Sequence, residues 1–352
     1  MIANSRATEV RLPSLRNLPH PRSTKIGWPW TVEPQSLPAI RPDGSSWPPI
    51  TIITPSYNQG QFIEETIRSV LLQGYPNLEY VIIDGGSSDG SLEVIQKYSP
   101  WLAHWVSEPD GGQSQAINKG FARAHGEVIA WLNSDDVLQQ DSLSYVGRHF
   151  AQNPTCDVLA GLSEIRDVTG DNVLWRVDNL PRTLAELLEY SLGRYLAQPS
   201  VFFRRRLLSS GIEPLNEQLH YAMDLDLWLR ITEHCQLHIL PQVLSWMRMH
   251  DDAKTFRHSL NVFTEVESII ARYKLSISPS KYRTIVRGAR RGKARACLRS
   301  SFDAPYSRKR MATALFEAFR HDKTVIVTRE WLGIAIRLAL PLKLRSFILS
   351  RP

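Results

Sequence analysis

Residues 50–91 read ITIITPSYNQGQFIEETIRSVLLQGYPNLEYVIIDGGSSDGS, and this stretch decides the architecture. Its opening ITIITPSYN is a short β-branched apolar run that ends in turn residues, the pattern of a buried strand. QFIEETIRSVLLQGYP follows with apolar residues at helical spacing, at Phe62, Ile63, Ile67, Val70 and Leu71. A second strand, LEYVIID, then runs into GGSSDG and a second helix, SLEVIQKYS. The same alternation returns as AHWVSEPDGG with QSQAINKGFARAHG, and as EVIAWLNSDD with QDSLSYVGRHFAQ. Four successive strand-helix units predict a largely parallel sheet covered by helices. Ligands of such sheets bind beyond the carboxyl ends of the strands. The residues standing there are Ser56, Tyr57 and Asn58, then Asp84, then Glu108 and Asp110, then Asn133, Asp135 and Asp136.

Beyond residue 155 the alternation loosens. CDVLAGLSEI and NVLWRV read as strands around the turn DVTGDN, with a helix near 183–191 and a strand at QPSVFFRR. YAMDLDLWLRITEH has helical periodicity through Met223, Leu227 and Ile231, and CQLHILPQVLSWMRMH reads as a strand interrupted at Pro241. The remainder is helical and basic. The first 49 residues hold nine of the 22 prolines, which predicts an extended segment that either wraps the body or stays disordered. The expected division is 1–48, a Pro-rich extension; 49–255, the catalytic domain; and 256–352, a helical basic region.

Acidic residues directly after a buried strand need a partner, because a carboxylate at the edge of a low-dielectric core is costly alone. Asp135 and Asp136 are the clearest case. Adjacent carboxylates repel unless a hard cation or sugar hydroxyls lie between them, and such oxygen ligands suit Mg²⁺ or Mn²⁺ carrying a diphosphate. A helix N-cap is the competing reading of the same pair. GGSSDG fits neither the dinucleotide fingerprint nor a Walker A loop and reads as a turn. Trp101, Trp105, Trp131, Trp228 and Trp246 fall within apolar strands and helices and are expected in the core.

Residues 50–91, together with SEPDGGQSQAINKGFARAHGEVIAWLNSDD at 107–136, closely resemble the family 2 inverting glycosyltransferases of the GT-A fold, and the likeness extends over roughly residues 49–250. The resemblance implies an α/β fold with a mostly parallel sheet flanked by helices, a Rossmann-like nucleotide-binding half and an acceptor half. It implies a nucleotide-diphosphate sugar donor, with Thr54, Pro55, Ser56 and Tyr57 bordering nucleobase and ribose and Asp84 contacting the base. It places further nucleotide contacts at Asp110 and in Gln113 to Lys119, and sets Asn133, Asp135 and Asp136 at the DxD-type motif that holds ribose and a metal diphosphate.

An inverting transfer is a single displacement, so a carboxylate must take the acceptor hydroxyl's proton on the face opposite the leaving diphosphate. YAMDLDLWLRI is similar to the family segment that supplies this base at a helix start, which implies Asp224, with Asp226 as fallback. Met223 stands where Glu is common, and Gln115 where Asp is expected. WMRMHDDAKT offers His250 either as a further metal ligand or as a contact to the diphosphate, and Arg248 or Lys254 as neutralisers of phosphate charge.

The whole chain has 352 residues, 43% of them hydrophobic and 22% charged, which excludes a disordered, collagenous or disulfide-scaffold protein. Cys156, Cys235 and Cys297 lie far apart without CxxC spacing, so neither a cysteine metal site nor a disulfide framework is indicated. The net charge of +7 is uneven: residues 271–352 carry 20 Lys or Arg against 4 Asp or Glu. Such a tail suits an anionic surface, or else is a set of solvated helices. It has no recognisable nucleic-acid-binding signature, and no nucleic acid partner is expected. The last apolar stretch, EWLGIAIRLALPLKLRSFILSRP, reads equally as an in-plane membrane helix and as a packing helix. The absence of a long apolar run or a signal-like start predicts a cytoplasmic, non-spanning protein, with the basic tail permitting a peripheral place at the inner face of the membrane.

The function expected is transfer of a sugar, from a UDP-sugar first of all, to a hydroxyl of a glycan or lipid-linked acceptor. The alternative is an inactive nucleotide-sugar-binding module of the same fold. A sugar nucleotidyltransferase would require a Gly-rich loop with Lys or Arg after the first strand, where this chain has TPSYNQGQF.

Overall fold

The computed structural model describes residues 2–5, 13–32, 36–250, 253–254, 258–299 and 308–339. The chain forms two compact units, one of Met1–Leu187 with Tyr195–His250, the other of Leu188–Arg194 with Asp251–Pro352.

The first unit is built on a 10-stranded sheet. Its strands are β1 (Ile2–Ser5), β2 (Ile50–Ser56), β3 (Leu78–Asp84), β4 (His104–Ser107), β5 (Val128–Trp131), β6 (Val137–Leu138), β7 (Val158–Arg166), β8 (Val173–Val177), β9 (Val201–Arg204) and β10 (Leu237–Arg248). In space the order is β1-β4-β3-β2-β5-β9-β7-β10-β6, with β8 beside β7. β4, β3, β2 and β5 run parallel, as do β7 and β10, while β9 enters antiparallel between β5 and β7. Helices α1 (Ile63–Leu71), α2 (Ser91–Tyr98), α3 (Gln113–Arg123) and α4 (Ser142–Gln152) follow β2, β3, β4 and β6, and α5 (Met223–Thr232) precedes β10. All seven residues of β2 are buried, as expected of a central parallel strand covered on both faces. The chain leaves β2 toward β3 on one side and later returns to β5 on the other. That reversal opens a crevice at the carboxyl ends of β2 and β5, the place where open α/β sheets bind ligands.

Every residue of α1 is buried, Glu64, Glu65 and Arg68 included. The cover is the proline-rich segment. Arg68 donates from Nε to the Pro29 carbonyl at 3.2 Å, from Nη1 to Pro19 at 3.1 Å and from Nη2 to Trp30 at 3.3 Å. The Arg22 amide donates to Glu64 at 2.9 Å, and Leu18, Leu37 and Trp47 join the main core. An extended chain has carbonyls to spare, and these satisfy charges that would otherwise be costly to bury. The described part of the segment therefore wraps the body. On the sheet's other face α3 approaches β2 so closely that a Cβ at Gly120 would lie 2.3 Å from Ile53 Cγ2. β10 passes through Pro241 as one strand, its register against β7 shifting between Leu240 and Val243, so the proline sits at an irregularity of the ladder.

The second unit contains α6 (Ser259–Arg272), α7 (Pro279–Arg299), α8 (Arg308–His321) and α9 (Arg329–Ala339). Ala294, Cys297 and Leu298 of α7 pack with Met311, Leu315 and Ala318 of α8, and with Val325 and Ile334. The opposite face of α7 exposes Arg283, Arg287, Arg290, Arg291, Arg295 and Arg299. Residues 340–352 of the apolar terminal stretch lie outside the described residues. Among the described residues no helix is long and apolar enough to cross a membrane.

Candidate active site

At the end of β2 the sequence-predicted quartet divides. Thr54 and Pro55 are buried within the strand, and the Thr54 hydroxyl lies 3.0 Å from the Tyr80 hydroxyl. Ser56 is also buried, its Oγ without a hydrogen-bond partner among the described residues. Tyr57 is 63% exposed and presents its ring at the crevice. Asn58 follows in the left-handed region, with φ of 51°. Its amide donates to Ser87 Oγ at 2.8 Å and its Oδ1 accepts from the Ser88 amide at 2.9 Å, so it joins the turns after β2 and β3.

Asp84 was expected to touch the base, but it is fully buried and its carboxylate is already engaged. Oδ2 accepts from the Gly86 and Ser87 amides and from Ser107 Oγ at 3.1, 2.9 and 2.7 Å, and Oδ1 accepts from Ser87 Oγ at 2.5 Å. Asp84 thus fixes the turn that carries the site. Asp110 accepts from the Gly112 amide at 2.8 Å, and its Oδ2 lies 3.0 Å from where a Cβ on Gly85 would stand. Glycine at position 85 lets the two turns meet.

α3 starts at Gln113, whose Nε2 donates to Asn133 Oδ1 at 2.7 Å, bringing two predicted residues together across the crevice. Lys119, on the same helix, is held by Glu108 at 3.0 Å, and the Lys119 hydrogen bond and charge keep the Glu108 carboxyl below its ordinary value. Gln115 caps the Gly111 amide at 2.7 Å and reaches Glu217.

The adjacent acids after β5 have different surroundings. Asp136 is buried; its Oδ1 accepts the Arg248 amide at 3.3 Å and its Oδ2 the Asn133 amide group at 3.2 Å. Burial, and then the charge of Asp135, push its pKa well up. Asp135 stays partly exposed, with Oδ2 3.0 Å from His250 Nε2. That separation suits a shared cation, since two neighbouring ligands of an octahedral ion with bonds near 2.1 Å stand about 3.0 Å apart. One carboxylate oxygen and one imidazole nitrogen fit Mn²⁺ or Mg²⁺, which complete their sphere with water and phosphate. The ring of His250 rests on Phe62, centroids 4.8 Å apart.

Arg248 does not reach toward a phosphate. Its side chain is 1% exposed and joins Glu65 at 3.0 Å, the Asp135 carbonyl at 3.2 Å and the Val168 carbonyl at 2.7 Å. Phe62 and Trp246 pack on its guanidinium at 4.7 and 4.6 Å. It is a clamp that holds the acidic turn, and Thr66 helps from α1 by donating to the Asp136 carbonyl at 2.7 Å. Neither Glu65 nor Thr66 stood out as a site residue in the sequence. The one local signal was charge within an otherwise apolar helix.

Asp224 lies in the first turn of α5, half-buried, with Oδ1 accepting the Leu225 amide at 2.8 Å. Asp226 is 1% exposed and bound to Arg230 at 3.0 Å, which removes it as an accessible alternative. Trp228, one turn after Asp224 and on the same helical face, stacks on Trp131 at the end of β5, with centroids 5.2 Å apart and planes at 20°. This stacking ties the start of α5 to the strand that carries Asn133 and Asp135.

Residues 51–211 match the model for glycosyl transferase family 2. An uncharacterized glycosyltransferase of Rickettsia typhi is 28% identical over 232 residues, which are 63% of this chain and 70% of that protein. TuaG of Bacillus subtilis, a glycosyltransferase assigned to teichuronic acid biosynthesis, is 40% identical over 103 residues, 28% of this chain and 41% of its own length. Among solved structures, residues 1–349 of TarS from S. aureus superpose with a TM-score of 0.53 at 18% identity, covering 78% of this chain and 80% of that one. The mannosyltransferase PcManGT from Pyrobaculum calidifontis, solved with GDP-Man and Mn²⁺, gives 0.53 at 17% identity over 86% and 90%. These structural likenesses bear on the fold. With the sheet order, the crevice and the matched segment in agreement, residues 51–211 form a glycosyl transferase family 2 region within a fold of GT-A type.

Proposed function

We propose that this glycosyltransferase moves a sugar, with inversion, from a UDP-sugar to a hydroxyl of a glycan or lipid-linked acceptor in polysaccharide biosynthesis. The observation that carries the reading is the Asp135–His250 pair, 3.0 Å apart at the carboxyl end of β5. Exposed Tyr57 offers a ring face to a nucleobase, and the Gln113–Asn133 pair offers amide groups to ribose. A divalent cation held by Asp135 and His250 would stabilise charge on the departing diphosphate. Asp136, behind that pair, sets the turn through its bonds to Arg248 and Asn133. Asp224 takes the acceptor proton onto its carboxylate as the acceptor oxygen closes on the anomeric carbon. The polysaccharide setting is supported by the likeness to TuaG over 103 residues.

Calorimetric titration of UDP, GDP and their sugars, with Mn²⁺ and then with EDTA, tests the donor site. Binding of a UDP-sugar is expected to need the cation. Asp135→Asn and His250→Ala should each weaken cation-dependent binding at least about 10- to 100-fold, the loss typical of an outer-shell partner alone. Donor binding that ignores EDTA would overturn the metal assignment, and binding without transfer would favour the inactive module. The six exposed arginines of α7 support a peripheral place on anionic lipid, at about 1 kcal/mol per residue close to the surface. Co-sedimentation with phosphatidylglycerol vesicles, but not with phosphatidylcholine vesicles, is expected, and it should fade as salt rises.

A further inference from the structure

The first unit holds a second cluster of metal-type ligands, remote in sequence from the acidic turn. His149 is in the last turn of α4, Cys156 in the loop before β7, and His238 is the second residue of β10. The parallel register of β7 and β10 sets His238 beside Leu159, and so brings it to the Cys156 loop. One ligand atom from each of the three residues lies within 4.8 Å of the other two, and this is the one such group of three or more among the described residues. His149 Nε2 and His238 Nδ1 are 3.4 Å apart.

That distance is long for a hydrogen bond between ring nitrogens. It matches the edge of a zinc tetrahedron, since two Zn–N bonds of 2.0–2.1 Å at the tetrahedral angle put the nitrogens about 3.3–3.4 Å apart. A sulfur at 2.3 Å from the same ion would lie about 3.6 Å from each nitrogen, inside the observed limit. We propose that His149, Cys156 and His238 form a structural Zn²⁺ site that fastens the end of α4 to the start of β10.

A metal bound here must displace the thiol proton against burial. Cys156 is buried, and burial, with Asp157 and Cys235 nearby, pushes its thiol up to about 12. Without metal it is an inert S–H; on binding, the sulfur becomes a thiolate ligand and its proton passes to solvent. Burial, and then His238, keep His149 below its ordinary pKa, so it stays neutral with a lone pair to give. The fourth corner falls to water, since the Cys235 thiol is engaged with the Ile231 carbonyl at 3.4 Å. Arg204, a buried cation at the end of β9 beside this loop, is spent on the Cys156 carbonyl at 2.8 Å and on Glu127. The ligands come from positions 149, 156 and 238, so no CxxC spacing could announce them.

The test uses the whole purified protein, stripped with chelator and then loaded with Zn²⁺ or Co²⁺ alone. One zinc ion per chain should survive gel filtration, and the cobalt form should show a thiolate-to-metal charge-transfer band with tetrahedral d–d intensity. The band should vanish in Cys156→Ser and the zinc be lost in His238→Gln, whereas His250→Ala should keep both. No retained zinc and no thiolate band in the unaltered protein would overturn the site and leave a packed pair of imidazoles. Zinc held equally by His238→Gln would also overturn it, and zinc lost in His250→Ala would assign the ion to the acidic turn instead. The unaltered protein's cobalt spectrum decides the matter even where a variant fails to fold.

Discussion

Asp224→Asn lowers turnover of the proposed transfer by about 10²- to 10⁴-fold, the usual contribution of a positioned general base, and leaves donor affinity unchanged. The substitution keeps size and shape and removes only the ability to hold a proton. Asp224 sits where this separation is clean: it is half-buried in the first turn of α5, with its Oδ1 already oriented by the Leu225 amide. Its position follows from the Trp131–Trp228 stack, so a change at Asp224 leaves the frame of the site intact. Asp226→Asn is the control. That residue is bound to Arg230 inside the helix, so its loss should lower stability and spare the chemical step. Steady-state release of nucleoside diphosphate, together with donor titration, reads both quantities. Near-normal turnover in Asp224→Asn would remove it as the base, and weakened donor binding would make it a donor contact.

The nucleotide half was legible because its strands are buried on both faces. Burial writes ITIIT, YVIID and EVIAW as apolar runs, and the helices between them keep a 3.6-residue period. The polar residues after each run were legible as candidates for the same reason, since they interrupt a pattern set by burial. Their division of labour was not. Asp84 and Asp135 look alike in sequence, yet Ser87 and Ser107 saturate one and His250 meets the other. Those partners stand 3, 23 and 115 residues away, and only the sheet order brings the distant ones close. The second half of the sheet was harder. β9 lies antiparallel between β5 and β7, and β6 has two residues, too few to leave a periodic trace. The burial of Glu64, Glu65 and Arg68 in α1 left no trace either, because the segment that covers them carries no apolar period of its own.

Arg248→Leu should destabilise the first unit by about 3–5 kcal/mol, the cost of breaking a buried pair from one side. The midpoint of its thermal unfolding should fall by roughly 6–20 °C at about 2–4 °C per kcal/mol for a unit of this size. The reason lies in what remains. Glu65 would keep a buried carboxylate whose other cationic partner among the described residues is Lys25 at 3.5 Å, and the carbonyls of Asp135 and Val168 would lose their donors. Leucine can still fill the space between Phe62 and Trp246, so the loss is one of charge and hydrogen bonding more than of volume. Arg248→Lys should recover little, because a single ammonium cannot serve the three directions that the planar guanidinium serves at once. Glu65→Gln combined with Arg248→Leu should regain part of the loss, since the stranded charge is gone; the coupling energy of this cycle measures the clamp itself. A cost below about 1 kcal/mol for Arg248→Leu is what an exposed pair gives, and it would mean that water reaches Glu65 and that the acidic turn is held by Thr66 and its own hydrogen bonds. The same variant should loosen Asp135, so its cation-dependent donor binding should weaken even at temperatures where the unit is folded.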